Sequence, residues 1–261
     1  MSLRALEWLV EAGADEAIGE APVNRFRATG PTAVSSPPST IAAPATVPPI
    51  PGPTVRSQPE PRPASPAGGD AKTLDELRQM LLAFDGCPLK RTATNTVFGD
   101  GNPAAHIMLL GEAPGAEEDR QGKPFVGASG HLLDRMLATI GLDRSHVFSS
   151  NVIYWRPPGN REPSPSEVAA CLPFAERMVE LVDPTVLVLL GGAALKAMLG
   201  RTEGITRLRG QWLTFATARL ARPIDTMATF HPAFLLRTPG QKRLAWRDLL
   251  AIKQRAGMVG L

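Results

Sequence analysis

Three short runs constrain the fold more than anything else in this chain: "HIMLLG" (106–111), "VFSSNVIYW" (147–155) and "TVLVLLG" (185–191). The first and third hold almost nothing polar. Successive side chains of a strand point to opposite faces, so a strand that is apolar throughout must be covered on both sides. Between these runs lie stretches with helical spacing. "SGHLLDRMLATIGL" places Leu132, Leu133, Met136, Leu137 and Ile140 on one stripe. "SPSEVAACLPFAERMVELV" opens on Ser164 and Glu167, a capping-box pair, and "GAALKAMLG" closes on Gly200. "TLDELRQMLLAF" starts on Thr73 as N-cap, and "QKRLAWRDLLAIKQRAG" is the last helix. "WLTFAT" and "DTMATFHP" read as further strands. Strands alternating with helices predict an α/β fold: a three-layer α/β/α sandwich on a mainly parallel central sheet.

The regular pattern begins only near residue 71. Residues 31–66 hold 12 of the 26 prolines, mixed with Ala, Ser and Thr. Such a segment buries too little apolar surface to offset its ordering entropy, so 30–70 is expected to be a disordered linker. Residues 1–29 contain a short amphipathic helix with Leu6, Leu9 and Val10 on one side and Trp8 nearby. Alone it is too short to be stable in water, and it offers a face to the main domain or to a protein partner. The expected organisation is 1–29 helix, 30–70 linker and 71–261 catalytic domain.

No apolar run is long enough to span a membrane, and the N-terminus lacks the basic start and apolar block of a secretory signal. Two cysteines give no disulfide framework, which fits a cytoplasmic protein. The net charge is only +3, but from residue 201 onward 11 Lys and Arg face 3 Asp and Glu. That imbalance points either to a polyanion such as nucleic acid or to a solvated basic helix face.

In a parallel α/β sheet, ligands sit outside the carboxyl ends of the strands. Those ends collect the unusual residues: "GEAPG" (111–115) after the first run, Asn151 and then "RPPGNR" in the second, "GGAAL" (191–195) after the third, and "HPAFLLR" (231–237) after the last strand. Each motif alone is weak. Their convergence on one edge of the sheet is specific.

With "GKPFVG" (122–127) added, this ordered set resembles family 4 of the uracil-DNA glycosylase superfamily over about 84–250. The resemblance implies a four-stranded central sheet and an enzyme that flips uracil out of DNA and hydrolyses its N-glycosidic bond, leaving an abasic site for base excision repair. The implied partner is uracil-containing DNA, single- or double-stranded. A monomer is expected.

The chemistry asks for matching parts. Hydrolysis of a nucleoside leaves a base anion and an oxocarbenium-like sugar, so donors must be aimed at the departing ring. Gly111, Ala113 and Gly115 let backbone N–H groups approach a planar base. More distant members of the superfamily carry an aspartate at the Ala113 position to orient water, so here Glu112 and Glu118 are the candidates. By resemblance, Glu118 has a second possible role, crowding the methyl of thymine. Phe125 offers a stacking face, worth about 1–3 kcal/mol per base. The Asn151 carboxamide can accept from uracil N3–H and donate to O4. By resemblance, His231 donates to uracil O2 as charge builds there. For the DNA, Gly191 and Gly192 suit a phosphate at a helix start, Leu235 or Leu236 a wedge with Arg237 beside it, and Arg156, Arg161, Lys242 and Arg243 phosphate contacts.

Family 4 usually holds a [4Fe–4S] cluster on four cysteines. Cys87 and Cys171 match one cysteine of each pair, while Phe84 and Trp155 stand at the other two positions. Two thiols cannot make a four-thiolate site, so no cofactor and no metal are expected. Two rival functions share the same motifs: a glycosylase for other deaminated bases such as hypoxanthine or xanthine, and a protein that binds or traps uracil-containing DNA without turnover.

Overall fold

The computed structural model describes residues 69–258. The expected N-terminal helix, and the linker up to residue 68, lie outside the described residues. In chain order the strands are β1 (Asp100–Gly101), β2 (Ile107–Gly111), β3 (Val147–Asn151), β4 (Val186–Leu190), β5 (Trp212–Phe215) and β6 (Ile224–Thr229). The helices are α1 (Leu74–Ala83), α2 (Ala116–Gln121), α3 (Ala128–Ala138), α4 (Pro165–Val182), α5 (Gly192–Leu199), α6 (Ile205–Leu208), α7 (Pro232–Arg237) and α8 (Lys242–Arg255).

The sheet has the order β1-β3-β2-β4-β6-β5. Four strands, β3, β2, β4 and β6, are mutually parallel. β1 and β5 add antiparallel edges, so the expected four-stranded sheet is a six-stranded one. β1 is two residues long and pairs Asp100 with Ser149, too short for any periodicity to show. β5 alternates half-buried and buried side chains, as an edge strand with one covered face should.

The apolar runs divide cleanly between two cores. Met108, Leu110, Phe148, Leu187 and Leu189 join one cluster with side chains of α1, α4 and α5. Their chain neighbours Ile107, Leu109, Val147, Val186, Val188 and Leu190 join a second cluster with α3 and α8. A period of two has put alternate residues into opposite layers, which is the α/β/α sandwich. The caps follow the sequence signals. Glu76 N–H donates to Thr73 Oγ1 at 3.1 Å. Ser164 and Glu167 bond reciprocally, at 3.3 and 2.7 Å. Gly200 ends α5 with φ 63°.

This frame sets the position of the site. β2 and β3 run in register, with Gly111 opposite Asn151 at their shared carboxyl end. β4 stops at Leu190 and β6 at Thr229, on the same edge of the sheet. The loops that leave these ends therefore meet.

Candidate active site

A cleft of about 570 Å³ opens at that edge. Its lining includes Glu112, Ala113, Gly115, Glu118, Phe125, Asn151 and His231, contributed by three separate strand ends. Gly111 lies directly beneath. A β-carbon placed on Gly111 would come within 2.4 Å of Asn151 Oδ1 and 2.8 Å of Phe125 Cζ. Only glycine lets the amide and the ring share that corner.

Phe125 is held in an unusual conformation. Its φ of 54° is left-handed, which costs a non-glycine residue about 1–3 kcal/mol. The surroundings fix it from three directions. The Arg144 guanidinium donates to the Phe125 carbonyl. The next two N–H groups, of Val126 and Gly127, donate to Glu118 Oε1 at 3.1 and 2.9 Å. Beneath the ring's backbone, a side chain on Gly130 would overlap the Phe125 carbonyl at 1.7 Å. Arg144 is itself anchored by Asp134 at 2.8 Å. Sequence reasoning missed Arg144, because nothing local marks an arginine 19 residues from the carbonyl it serves.

Glu118 is buried, and its second oxygen accepts from Gly115 N–H at 3.2 Å. It ties the "GEAPG" turn to the start of α3. Three backbone donors occupy the carboxylate, so of the two candidates for orienting water, Glu112 is the one whose side-chain oxygens bond no other described residue. Burial, with the charge of nearby Glu162 second, raises the Glu112 carboxyl above the usual range.

His231 caps α7. Its Nδ1 accepts the Ala233 N–H at 3.1 Å, so the proton of the neutral ring sits on Nε2. Burial first, then the Arg237 charge, lowers its pKa to about 4, partly opposed by Glu118. At neutral pH the ring is therefore an uncharged donor. The His231 and Phe125 ring centroids are 6.2 Å apart, with planes at 36°. The Asn151 side chain is buried at the cleft wall and makes no hydrogen bond to another described residue. Its donor and acceptor are available to a ligand.

The DNA-contact expectations divide. Arg237 lines the cleft with no ion pair among the described residues, and Leu236 beside it is 40% exposed. Leu235 is 0% exposed and packs with Leu132, Phe230 and Ala245. It cannot serve as the wedge, because a short helix that seats one face on the core must bury part of "AFLLR". Arg161 lines the cleft but is engaged by Glu167 through two bonds of 2.9 and 2.7 Å. Arg156 lies outside the lining and donates to Asn160 Oδ1 at 2.7 Å. Gly191 packs under His231, where a β-carbon would lie 3.2 Å from His231 Cβ, so it supports the imidazole. Gly192, Lys242 and Arg243 do not line the cleft; the two cations edge a separate hollow.

Cys87 and Cys171, the latter in the N-terminal half of α4, are both buried and unbridged, and their thiols shift each other's titration. The pairing pulls the Cys87 thiol down to about 7 and pushes that of Cys171 up. Phe84 packs on Phe174 with ring centroids 5.0 Å apart, and Trp155 donates its indole N–H to Thr96 Oγ1 at 2.9 Å. Among the described residues no group of three or more His, Cys, Asp or Glu could hold a metal. These residues do not fit a four-thiolate cluster: the other two positions carry aromatic side chains, Trp155 inside the core and half-buried Phe84 packed against it.

A mainly parallel sheet with a polar cleft at its strand ends, lined by an aromatic ring, a buried amide and a neutral histidine, defines an α/β protein with a strand-end ligand site. The chain belongs to the uracil-DNA glycosylase superfamily, whose family pattern matches residues 98–250. It is 42% identical over 166 residues to the type-4 uracil-DNA glycosylase of Thermotoga maritima, covering 62% of this chain and 84% of that one. The type-4 enzyme of Archaeoglobus fulgidus is 39% identical over 190 residues, 71% of this chain and 94% of that one. That of Sulfurisphaera tokodaii is 35% identical over 189 residues, 70% and 85%.

Proposed function

We propose that the cleft takes one uracil flipped out of DNA and hydrolyses its N-glycosidic bond as a monofunctional glycosylase, opening base excision repair. The observation that carries this reading is the convergence of Asn151, Phe125 and the Nε2–H of His231 on one cleft. Type-4 uracil-DNA glycosylases are its named relatives.

In this reading the pyrimidine lies on Phe125. Asn151 accepts from N3–H and donates to O4. As the glycosidic bond breaks, electrons move onto the ring, and His231 Nε2–H meets the charge at O2. A neutral donor stabilises the anion without placing a positive charge beside the cationic sugar. Removing one such preorganised donor costs about 10²–10³ in rate. The carboxylates of Glu112, Glu118 and Glu162 give the cleft a negative field that favours the oxocarbenium. Glu112 positions the attacking water. Among the described residues that line the cleft there is no lysine to form a Schiff base, so the product is an intact abasic strand. Leu236 fills the gap left in the duplex, and Arg237 meets a phosphate.

A timed assay on a uracil-containing oligonucleotide, with and without alkali afterwards, tests this. Multiple turnovers with strand breaks only after alkali are expected. A single stoichiometric event, breaks without alkali, or preferential release of hypoxanthine or xanthine would overturn it.

A further inference from the structure

Away from the cleft, and sharing none of its lining, a hollow of about 320 Å³ lies between α3 and α8. Its floor is apolar, built from Leu132, Met136, Trp246 and Leu249. Trp246 is 45% exposed and Leu250, one turn on, is 40% exposed. Only two other large apolar side chains among the described residues, Leu82 and Leu236, are as open to water.

Cations surround this apolar surface. Arg135, Lys242 and Arg243 edge the hollow, and Arg247 follows Trp246 on α8. None of these four side chains makes an ion pair or hydrogen bond with a described residue. Several arginines elsewhere are matched: Arg144 with Asp134, Arg177 with Glu180, Arg209 with Asp248, Arg255 with Asp225. The sole carboxylate of α3 is that Asp134, and the sole carboxylate of α8 is that Asp248. The face therefore has no counter-charge of its own.

We propose that this face docks a short acidic segment of a partner protein, with one apolar side chain seated between Met136 and Trp246 and flanking carboxylates on Arg135, Lys242 and Arg243. Positive charge around the hollow would steer such a segment and set its salt dependence. DNA is the competing occupant, and the floor disfavours it. A nucleobase has polar edges that must stay hydrogen-bonded when desolvated. The hydroxyl of Thr139, which also lines the hollow, already donates to the Met136 carbonyl at 2.6 Å. An aliphatic or aromatic side chain leaves no such debt.

The test is fluorescence anisotropy on the full chain with a short fluorescein-labelled peptide of aspartates around a Phe-Leu pair. Two control peptides replace the aspartates by lysine or the Phe-Leu pair by alanine, and a uracil-free single strand is the third probe. Of the three peptides only the acidic apolar one should bind, and more weakly as salt is raised. Trp246→Ala and Arg135→Glu should each weaken it by about tenfold or more, with uracil release unchanged and thermal unfolding retained. Failure of that peptide to bind, equal binding by either control peptide, or insensitivity to both variants would overturn the proposal. So would a single strand whose binding is lost in Trp246→Ala.

Discussion

Phe125 and His231 face each other with ring centroids 6.2 Å apart and planes inclined at 36°. A base sandwiched between two parallel rings needs about 7 Å, twice a van der Waals contact. The spacing therefore admits a base stacked on Phe125 and met at its edge by His231, and not one clamped between two faces. In the proposed reading the imidazole is then an edge donor, and its charge state becomes a measurable property.

The His231 pKa of about 4 lies below its ordinary value of 6.5. The base-release rate should thus be independent of His231 titration from neutrality down to about pH 5 and fall as pH approaches 4. The stability consequence has the same sign. Between 6.5 and 4 the unfolded chain binds a proton that the folded chain does not, so stability falls as pH falls through that window. Single-turnover rates against pH check the first claim. Urea unfolding of wild type and His231→Gln, where the variant loses that slope, checks the second.

Gly111→Ala should strike two groups at once. The new methyl would sit 2.4 Å from Asn151 Oδ1 and 2.8 Å from Phe125 Cζ. Overpacking of this kind costs about 1–3 kcal/mol. Uracil release is expected to fall far more than stability, because the displaced Asn151 and Phe125 are the proposed base-reading pair. Parallel thermal melts and rate measurements separate the two effects.

Glu118→Gln distinguishes a loop clamp from a water-orienting base. The carboxylate accepts from Gly115, Val126 and Gly127 N–H groups, and an amide has one acceptor oxygen for donors on both sides. As a clamp, the variant should lose about 1–3 kcal/mol of stability, and base release should fall because Phe125 is no longer fixed. A rate loss with unfolding free energy unchanged would return Glu118 to the water-orienting role. Glu112→Gln, by contrast, should slow the reaction at constant stability.

How much of this was visible in the chain itself depends on the range of the interaction. The parallel strands were legible because an apolar run buried on both faces is a local signature, and the helix caps were legible because their partners lie three residues apart. The cleft was legible through Gly111, Asn151, Phe125 and His231, each at a strand end or in a turn. Glu118 was legible as a candidate site acid, but not as a clamp, because the N–H groups it holds lie eight and nine residues on in a loop that folds back over it. Arg144 has no local signal at all. The two-residue β1 is below any periodicity, and in six-residue α7 the pattern could not tell Leu235 from Leu236.

That last pair now separates. Leu235 is 0% exposed within a four-residue apolar cluster, so Leu235→Ala should cost about 2–5 kcal/mol. Leu236→Ala, at 40% exposure, should alter stability by no more than about 0.5 kcal/mol. Its effect belongs to the duplex: uracil release from double-stranded DNA should slow while release from single strands is spared. Equal losses on both substrates would remove Leu236 as the wedge.

The Cys87–Cys171 pair gives the final expectation. Four thiolates are needed to hold the cluster usual in family 4, and here Phe84 packs on Phe174 and Trp155 bonds to Thr96 where two of them would be. Protein purified without oxygen should therefore be colourless and carry no stoichiometric iron, and a strong chelator should leave base release unchanged. The two sulfurs fill core space as a mutually paired couple, not as metal ligands, in this account. Cys87→Ala with Cys171→Ala should then lower stability modestly and leave the uracil-release rate near wild type. Bound iron that disappears in this double variant, together with activity, would show that the two remaining thiols still anchor a metal centre through other ligands.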